Sequence, residues 1–291
     1  MSTLVTAASG QLGRLVVDAL LSRGADPSAV VAGARNPAAI ADLAQRGVRT
    51  VHLDYSEPDS VAAALAGVDS VLLISGNVPG ARVAGHLNVI DAALAAGVTK
   101  FVYTSAPKAT TFDWPLGLDH RATEQAIAAS GLPAVVLRND WYTENYLSDV
   151  QRAARTGVIA AAVGDARVAS ASRRDYADAA AVVLLDDGHL GAVYELAGDV
   201  AWTFADLASA ASEVVGREVR YVALTPDQQR TALVEAGVSE AFVDFRMATD
   251  DGIARGVLGD TDGTLSRLIG RPTTPLVDGL REALAAAGTG S

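Results

Sequence analysis

Apolar runs and segments of helical periodicity alternate along the first half of the chain. A short apolar run with β-branched residues over 4–8 predicts a strand, and apolar positions from 12 to 20 then recur at helical spacing. The alternation continues with strands predicted over 29–34, 48–53, 69–75, 100–104 and 134–137, and helices over 37–45, 61–66, 83–96 and 121–129. Strands that are short continuous apolar runs are typical of a sheet covered by helices on both faces. The pattern predicts an α/β fold, a Rossmann-type doubly wound parallel sheet.

The second half of the chain is less regular. Helices are predicted over 175–185, 204–215, 226–236 and 276–287, and short strands over 193–196 and 219–222. We therefore predict a Rossmann domain over 1–145, to which later segments return, and a smaller C-terminal α/β lobe over 146–291 on the substrate side. Ligands of doubly wound sheets bind at the carboxyl ends of the strands, so functional residues are expected just after each strand.

The turn after the first strand carries part of a glycine pattern. In a G-x-x-G-x-x-G reading, Gly10 and Gly13 are present and position 7 is Ala7. Such a turn, opening a helix inside a βαβ unit, favours dinucleotide binding over a purely structural turn. If the backbone φ at position 7 is positive, alanine costs about 1 kcal/mol or more there; if φ is negative, alanine fits without strain.

The end of the second strand indicates which dinucleotide is bound. An NAD site usually has an acidic residue there, but this chain has Arg35, 22 residues after Gly13, followed by Asn36 and Pro37. A guanidinium suits a 2′-phosphate through charge-assisted hydrogen bonds. The alternative is a solvated arginine before an Asn-Pro helix start. Together with the glycine turn, Arg35 favours NADP(H).

Composition and charge exclude several classes of function. The chain has 34 acidic and 23 basic residues, a net charge of -11, which argues against a nucleic acid partner. It has no cysteine, and its four histidines lie far apart, so we expect no metal site. No basic leader and no apolar run of about 18 residues occurs, so we expect a cytoplasmic protein without a membrane segment.

The candidate catalytic residues do not include the tyrosine and lysine pair of many Rossmann reductases. The only lysines are Lys100 and Lys108, and neither follows a tyrosine by four residues. His120 lies on the expected helix and could give a proton near neutral pH; the alternative is a helix histidine without a catalytic task.

Two amides and three aromatic residues between Asn139 and Tyr146 follow the sixth strand. They could bind a flat acceptor, or Trp141 and Tyr142 could simply pack the lobe.

Several stretches together resemble the NmrA-like atypical short-chain dehydrogenase/reductase family, in particular its bacterial NADPH:quinone oxidoreductases. The resemblance covers nearly the whole chain, with Ala7 where the family has glycine. The stretches that carry it are 10–13, 34–37, 53–55, 72–75, 86–93, 103–105, 137–146, 170–177, 194–199 and 265–274.

The resemblance implies NADP(H) as cofactor and hydride transfer to a quinone-like small molecule without flavin. Asn139, Tyr142 and His120 are the expected catalytic residues. The expected cofactor-binding residues are Ala7, Ser9, Gly10, Gln11, Leu12, Gly13, Arg35, Asp54, Ile74, Ser75, Gly76, Thr104, Ser105, Asn139, Asp140, Trp141 and Tyr142.

A related branch of the family senses the dinucleotide redox state without turnover. Ala7 and the absent tyrosine and lysine pair fit that branch, so a non-catalytic NADP(H) sensor is the alternative function. A quinone accepts hydride at a polarised carbonyl and needs positioning more than a strong acid, so an enzyme is not excluded. The sequence does not name the natural acceptor, and it allows a homo-oligomer.

Overall fold

The structure is a computed structural model that describes residues 1–76, 78 and 80–288. Its strands are β1 Thr3–Val5, β2 Val30–Ala34, β3 Arg49–His52, β4 Ser70–Leu73, β5 Lys100–Ser105, β6 Ala134–Asn139, β7 Val158–Ala161, β8 Arg167–Val168, β9 Val193–Leu196, β10 Trp202–Thr203 and β11 Arg220–Ala223. Its α-helices are α1 Gln11–Ser22, α2 Ala41–Gln45, α3 Pro58–Leu65, α4 Arg82–Ala95, α5 Pro115–Ser130, α6 Leu147–Thr156, α7 Arg173–Leu185, α8 Phe204–Val215, α9 Pro226–Glu235, α10 Glu240–Ala254, α11 Thr264–Ile269 and α12 Leu276–Gly288.

The chain divides into two compact units. The first comprises Met1–Asp113, Gly117–Asn139 and Arg173–Leu196, and the second comprises Trp114–Leu116, Asp140–Ser172 and the chain from Ala197 onward. Helix α7 and strand β9 follow residue 145 in the sequence but belong to the first unit.

The first unit contains a seven-stranded sheet in the order β3-β2-β1-β4-β5-β6-β9, and every neighbouring pair is parallel. Strands β1, β2, β4 and β5 are buried along their whole length, as expected for continuous apolar runs between two helical layers. The strand order reverses between β1 and β4: β2 and β3 lie on one side of β1, and β4 and the later strands lie on the other. Folds of this kind bind ligands in the crevice at the carboxyl ends of the strands at such a point. The predicted Rossmann-type fold is confirmed.

The second unit has small sheets and more helices. Strand β10 pairs antiparallel with β8, and β11 pairs parallel with β7. Its core includes the buried rings of Tyr146, Trp202 and Phe204, which meet edge to face or tilted at centroid distances of 5.1–6.0 Å. Among the residues that the structure describes, no helix is long and apolar enough to cross a membrane.

Three helices of the second unit lack a predicted counterpart: α6, α10 and the six-residue α11. The inner faces of α6 and α10 are partly polar. Asp149 of α6 and Asp250 of α10 are buried and flank Arg246, whose guanidinium lies 3.1 Å from an oxygen of each carboxylate. A stripe of buried charges does not give the apolar period of 3.6 from which helices are predicted.

In the first unit, the segment predicted as one helix over 37–45 differs from the prediction: a 3₁₀ turn, Pro37–Ile40, precedes the short helix α2.

Candidate functional site

The turn between β1 and α1 is shaped for an anion. Ala7 has φ +48°, and its carbonyl accepts the Gly10 N–H at 2.9 Å. Helix α1 begins at Gln11 with no side-chain cap and no acidic residue in its first turn. The first N–H groups of a helix have no partner within it, so this helix start can bind phosphate. Ser9, Gly10 and Gln11 are exposed, whereas Leu12 is buried against the core.

Gly13 allows the helix to approach the turn closely. A Cβ at position 13 would lie 2.4 Å from the Ala7 carbonyl oxygen, and a Cβ at Gly10 would lie 3.1 Å from the same atom. The structure therefore requires glycine at 13 for packing. It also decides between the two alternatives for Ala7: φ is positive, so alanine is strained there.

Arg35 follows β2 and is exposed. Its carbonyl is bonded to Nδ1 of His52 at 3.0 Å, but in the described part of the chain its guanidinium makes no hydrogen bond or ion pair. Asn36 accepts the Ala38 N–H and opens the next turn, as predicted. The structure thus leaves a cation at the end of β2, in the position expected for a 2′-phosphate.

Asp54 lies beyond β3. Its carboxylate accepts hydrogen bonds from the backbone N–H and the hydroxyl of Ser56, at 2.9 and 2.7 Å. These bonds lower the pKa of Asp54, with a further contribution from the charge of Arg35. The carboxylate is ionised and its orientation is set by the turn.

Residues 74–76 follow β4. The three N–H groups of Ile74, Ser75 and Gly76 donate to the side chains of Thr6, Thr104 and His86, at 3.0, 2.9 and 3.0 Å. The hydroxyl of Thr104, a predicted site residue, thus supports the neighbouring loop. Thr6, Tyr55 and His86 were not predicted for the site. Tyr55 and His86 lie in two of the stretches that resemble the family, 53–55 and 86–93, and the sequence offered no such signal for Thr6.

The end of β5 is tied to β6 and β9 by a buried ion pair. Ser105 donates its hydroxyl to Glu124, which pairs with Arg138 through Nε at 2.9 Å and Nη2 at 2.6 Å. Arg138 also donates from Nη1 to Glu195 at 2.8 Å. The bonds to Glu124 raise the pKa of Arg138 above its ordinary value. Glu124 lies four residues after His120, where a reductase with the tyrosine and lysine pair has lysine, so this helix carries a structural carboxylate instead.

His120 is buried and both of its ring nitrogens have partners. Nδ1 lies 2.9 Å from the Tyr103 hydroxyl, and Nε2 lies 3.0 Å from Nη1 of Arg82. Arginine can only donate, so Nε2 accepts and the ring is neutral. Burial, and then the charge of Arg82, lower the pKa of His120 to about 3. The prediction that His120 has a proton to give near neutral pH is therefore wrong.

Asn139 ends β6 and is buried in the first unit, whereas Asp140 to Tyr146 belong to the second unit. Trp141 and Tyr142 are half-buried, and Asn145 is exposed. The backbone from 141 to 143 pairs with Ala171: the Ala171 N–H donates to the Trp141 carbonyl at 3.1 Å, and the Thr143 N–H donates to the Ala171 carbonyl at 2.9 Å.

Comparisons with known proteins agree with this geometry. A family model described as NAD(P)H-binding matches residues 7–187. The chain is 43% identical to quinone oxidoreductase 2 of Escherichia coli, with 94% of this chain and 96% of that protein covered. It is 32% identical to the NAD(P)H azoreductase of Xenophilus azovorans, with 92% and 93% covered.

Solved structures give the same result. The chain superposes on the Escherichia coli NADPH-dependent quinone oxidoreductase, crystallised with NADPH, with a TM-score of 0.93 and 41% identity. That match covers 98% of this chain and all of the other. A relative named as an NmrA-like oxidoreductase, from Aspergillus flavus, is 28% identical over 98% of this chain and 95% of its own length.

Proposed function

The chain belongs to the NAD(P)H-binding family, and from this premise we propose that it is an NADPH-dependent oxidoreductase that transfers hydride to a quinone-type acceptor without flavin. The observation that carries the proposal is the first βα turn. The N-terminus of α1 has no side-chain cap and no acidic residue in its first turn, and Gly13 lets this helix lie close to the turn. The exposed Arg35 guanidinium makes no hydrogen bond or ion pair within the described chain. The family resemblance and the names of the relatives agree with this assignment.

The residues fit the cofactor in charge and shape. The N–H groups at the start of α1 would hold the pyrophosphate, and Arg35 would bind the 2′-phosphate. Asp54 would lie near the adenosine. Ile74, Ser75, Gly76, Thr104 and Ser105 would support the ribose and the nicotinamide. Ser105 can only accept a hydrogen bond from a ligand, because its own proton is donated to Glu124.

The bound cofactor supplies the hydride, and the chain supplies position and polarity. We propose that the amide of Asn139 donates a hydrogen bond to the acceptor oxygen on which negative charge develops. Trp141 and Tyr142 would provide flat apolar surface for the acceptor ring. His120, which is neutral, would contribute through its contact with Arg82 rather than as an acid. No catalytic acid is needed during hydride transfer, since a hydroquinone anion is only weakly basic; it can form unprotonated and take its proton from solvent afterwards.

The alternative is a non-catalytic NADP(H) sensor. Relatives of 43% and 32% identity are named as reductases, which favours turnover. The absence of the tyrosine and lysine pair does not distinguish the two, since quinone reduction depends on positioning.

Purified protein should oxidise NADPH when a small benzoquinone or naphthoquinone is added, with a rate that saturates in quinone. The Asn139→Ala variant should lower kcat by about tenfold or more, through loss of one donor to a developing oxyanion. The Asn145→Ala variant tests the exposed amide of the same segment. Tight NADPH binding with no oxidation by any quinone would overturn the enzyme and leave the sensor.

A further inference from the structure

The loop after β4 is held by side chains at each of its first three amides. Thr6 follows β1, Thr104 belongs to β5 and His86 belongs to α4, and each accepts one N–H from residues 74–76. Loops usually leave such groups to water. Here side chains from three separate elements turn the amides inward, so the backbone of this loop has a defined position.

His86 is the most constrained of these acceptors. Its ring is wholly buried, and Nε2 accepts the Gly76 N–H, so the proton lies on Nδ1. Nδ1 lies 2.9 Å from the Thr123 hydroxyl, which itself donates to the Asp119 carbonyl at 2.9 Å. Burial, and then the charge of Arg82, lower the pKa of His86 to about 4. A neutral ring in one tautomer is required, because an imidazolium cannot accept.

Tyr55 holds a carbonyl of the same loop. Its hydroxyl donates to the Ile74 carbonyl at 2.8 Å, and its ring meets the His86 ring edge to face at a centroid distance of 6.1 Å. The Tyr55 carbonyl accepts from Nδ2 of Asn88 at 2.8 Å. Gly85 makes room for it, since a Cβ there would lie 2.8 Å from the Tyr55 Cβ. Helix α4 thus provides both His86 and the two residues, Gly85 and Asn88, that contact Tyr55.

We propose that His86 and Tyr55 are positioning residues that fix the backbone of residues 74–76 for the nicotinamide half of NADPH. The inference rests on the proposed function, because these three residues are the ones expected to support the ribose and the nicotinamide. A loop held in its binding position before the ligand arrives loses little entropy on binding. Without an acceptor at 86, the Gly76 N–H would lose its partner and the loop would shift.

The binding affinities of the variants for two ligands distinguish a role of His86 in positioning the loop from a role in the stability of the whole fold. NADPH contacts both halves of the site, whereas adenosine 2′,5′-bisphosphate reaches only the phosphate and adenosine end. The His86→Leu variant should bind NADPH about tenfold more weakly, through loss of one buried hydrogen bond, with bisphosphate binding unchanged. His86→Gln, whose amide oxygen can accept, should keep NADPH affinity within about threefold. Tyr55→Phe should resemble His86→Leu.

Val89→Ala is the matched control on the same helix. Val89 is a buried core residue of α4, and its side chain has no hydrogen-bonding group that could hold the loop. The variant should lower the melting temperature and leave both affinities unchanged. Equal weakening of both ligands in His86→Leu, or wild-type NADPH affinity in that variant, would overturn the inference. A wild-type protein that binds neither ligand would instead overturn the proposed function.

Nitrogen-15 NMR of the ligand-free protein gives a readout that needs no variant. His86 should appear as the Nδ1–H tautomer and should not titrate above about pH 5, since its pKa lies near 4. An Nε2–H tautomer, or a ring that titrates near its ordinary pKa, would show that the Gly76 amide is not held by His86 and would overturn the inference even if His86→Leu fails to fold.

Discussion

Ala7 is a strained residue in the turn after β1. Its φ of +48° lies in the left-handed region that glycine adopts freely. Ala7→Gly should therefore raise the free energy of unfolding by up to about 1 kcal/mol, after the greater unfolded-state entropy of glycine is subtracted. Thermal unfolding measures this as a melting temperature higher by a few degrees. Gly13→Ala in the same turn should do the opposite, since its Cβ would meet the Ala7 carbonyl. A lower melting temperature for Ala7→Gly would contradict the assignment of strain.

Arg35 should determine the preference between the two dinucleotides. Its guanidinium is exposed and makes no hydrogen bond or ion pair in the described chain, although its charge acts on Asp54, so its donors can engage a 2′-phosphate. Arg35→Ala should weaken NADPH by about 1.5–3 kcal/mol and leave NADH nearly unchanged, as measured by titration of both. Arg46→Ala is the control, because Arg46 is an exposed arginine of the same unit that pairs with Asp18. Equal weakening of both cofactors by Arg35→Ala would argue against the assignment.

At the scale of elements, Lys100 joins the start of β5 to the end of α7. Its buried ammonium donates to the carbonyls of Val183, Leu184 and Asp186 at 3.0–3.3 Å. These carbonyls lie at the C-terminal end of the helix, where the dipole favours a cation. Lys100→Met should lower the free energy of unfolding by about 2–5 kcal/mol, measured by urea denaturation.

The ion pair of Lys100 with Asp187 provides the control for this helix end. Asp187 lies 2.7 Å from Nζ, but its side chain is largely exposed, so water screens the pair. Asp187→Asn should therefore change stability little. If Asp187→Asn were as destabilising as Lys100→Met, the surface ion pair rather than the carbonyl contacts would hold the helix.

At the scale of the whole molecule, the buried histidines make stability depend on pH. His86 and His120 have pKa values near 4 and 3 in the folded chain, below the ordinary value of 6.5. The unfolded chain therefore binds more protons, and stability is lost as pH falls from 6.5 towards 4. The two together should cost about 2 kcal/mol between pH 6 and 5, seen by urea unfolding at each pH. Replacing both by glutamine should flatten this difference; an unchanged pH dependence would show that neither histidine is responsible.

The sequence by itself determined the Rossmann sheet, because alternating apolar runs and helical periods are local patterns. It also located Gly10 and Gly13, which belong to the turn and the helix that follow β1, and Arg35, which directly follows β2. The sequence did not identify the side chains that hold the loop after β4. Thr6, Tyr55 and His86 lie far apart in the chain and meet only when β1, β3, β4 and α4 pack together. The φ of Ala7 and the neutral state of His120 were likewise decided by tertiary structure, because backbone strain and the loss of solvent around a ring depend on what packs against them.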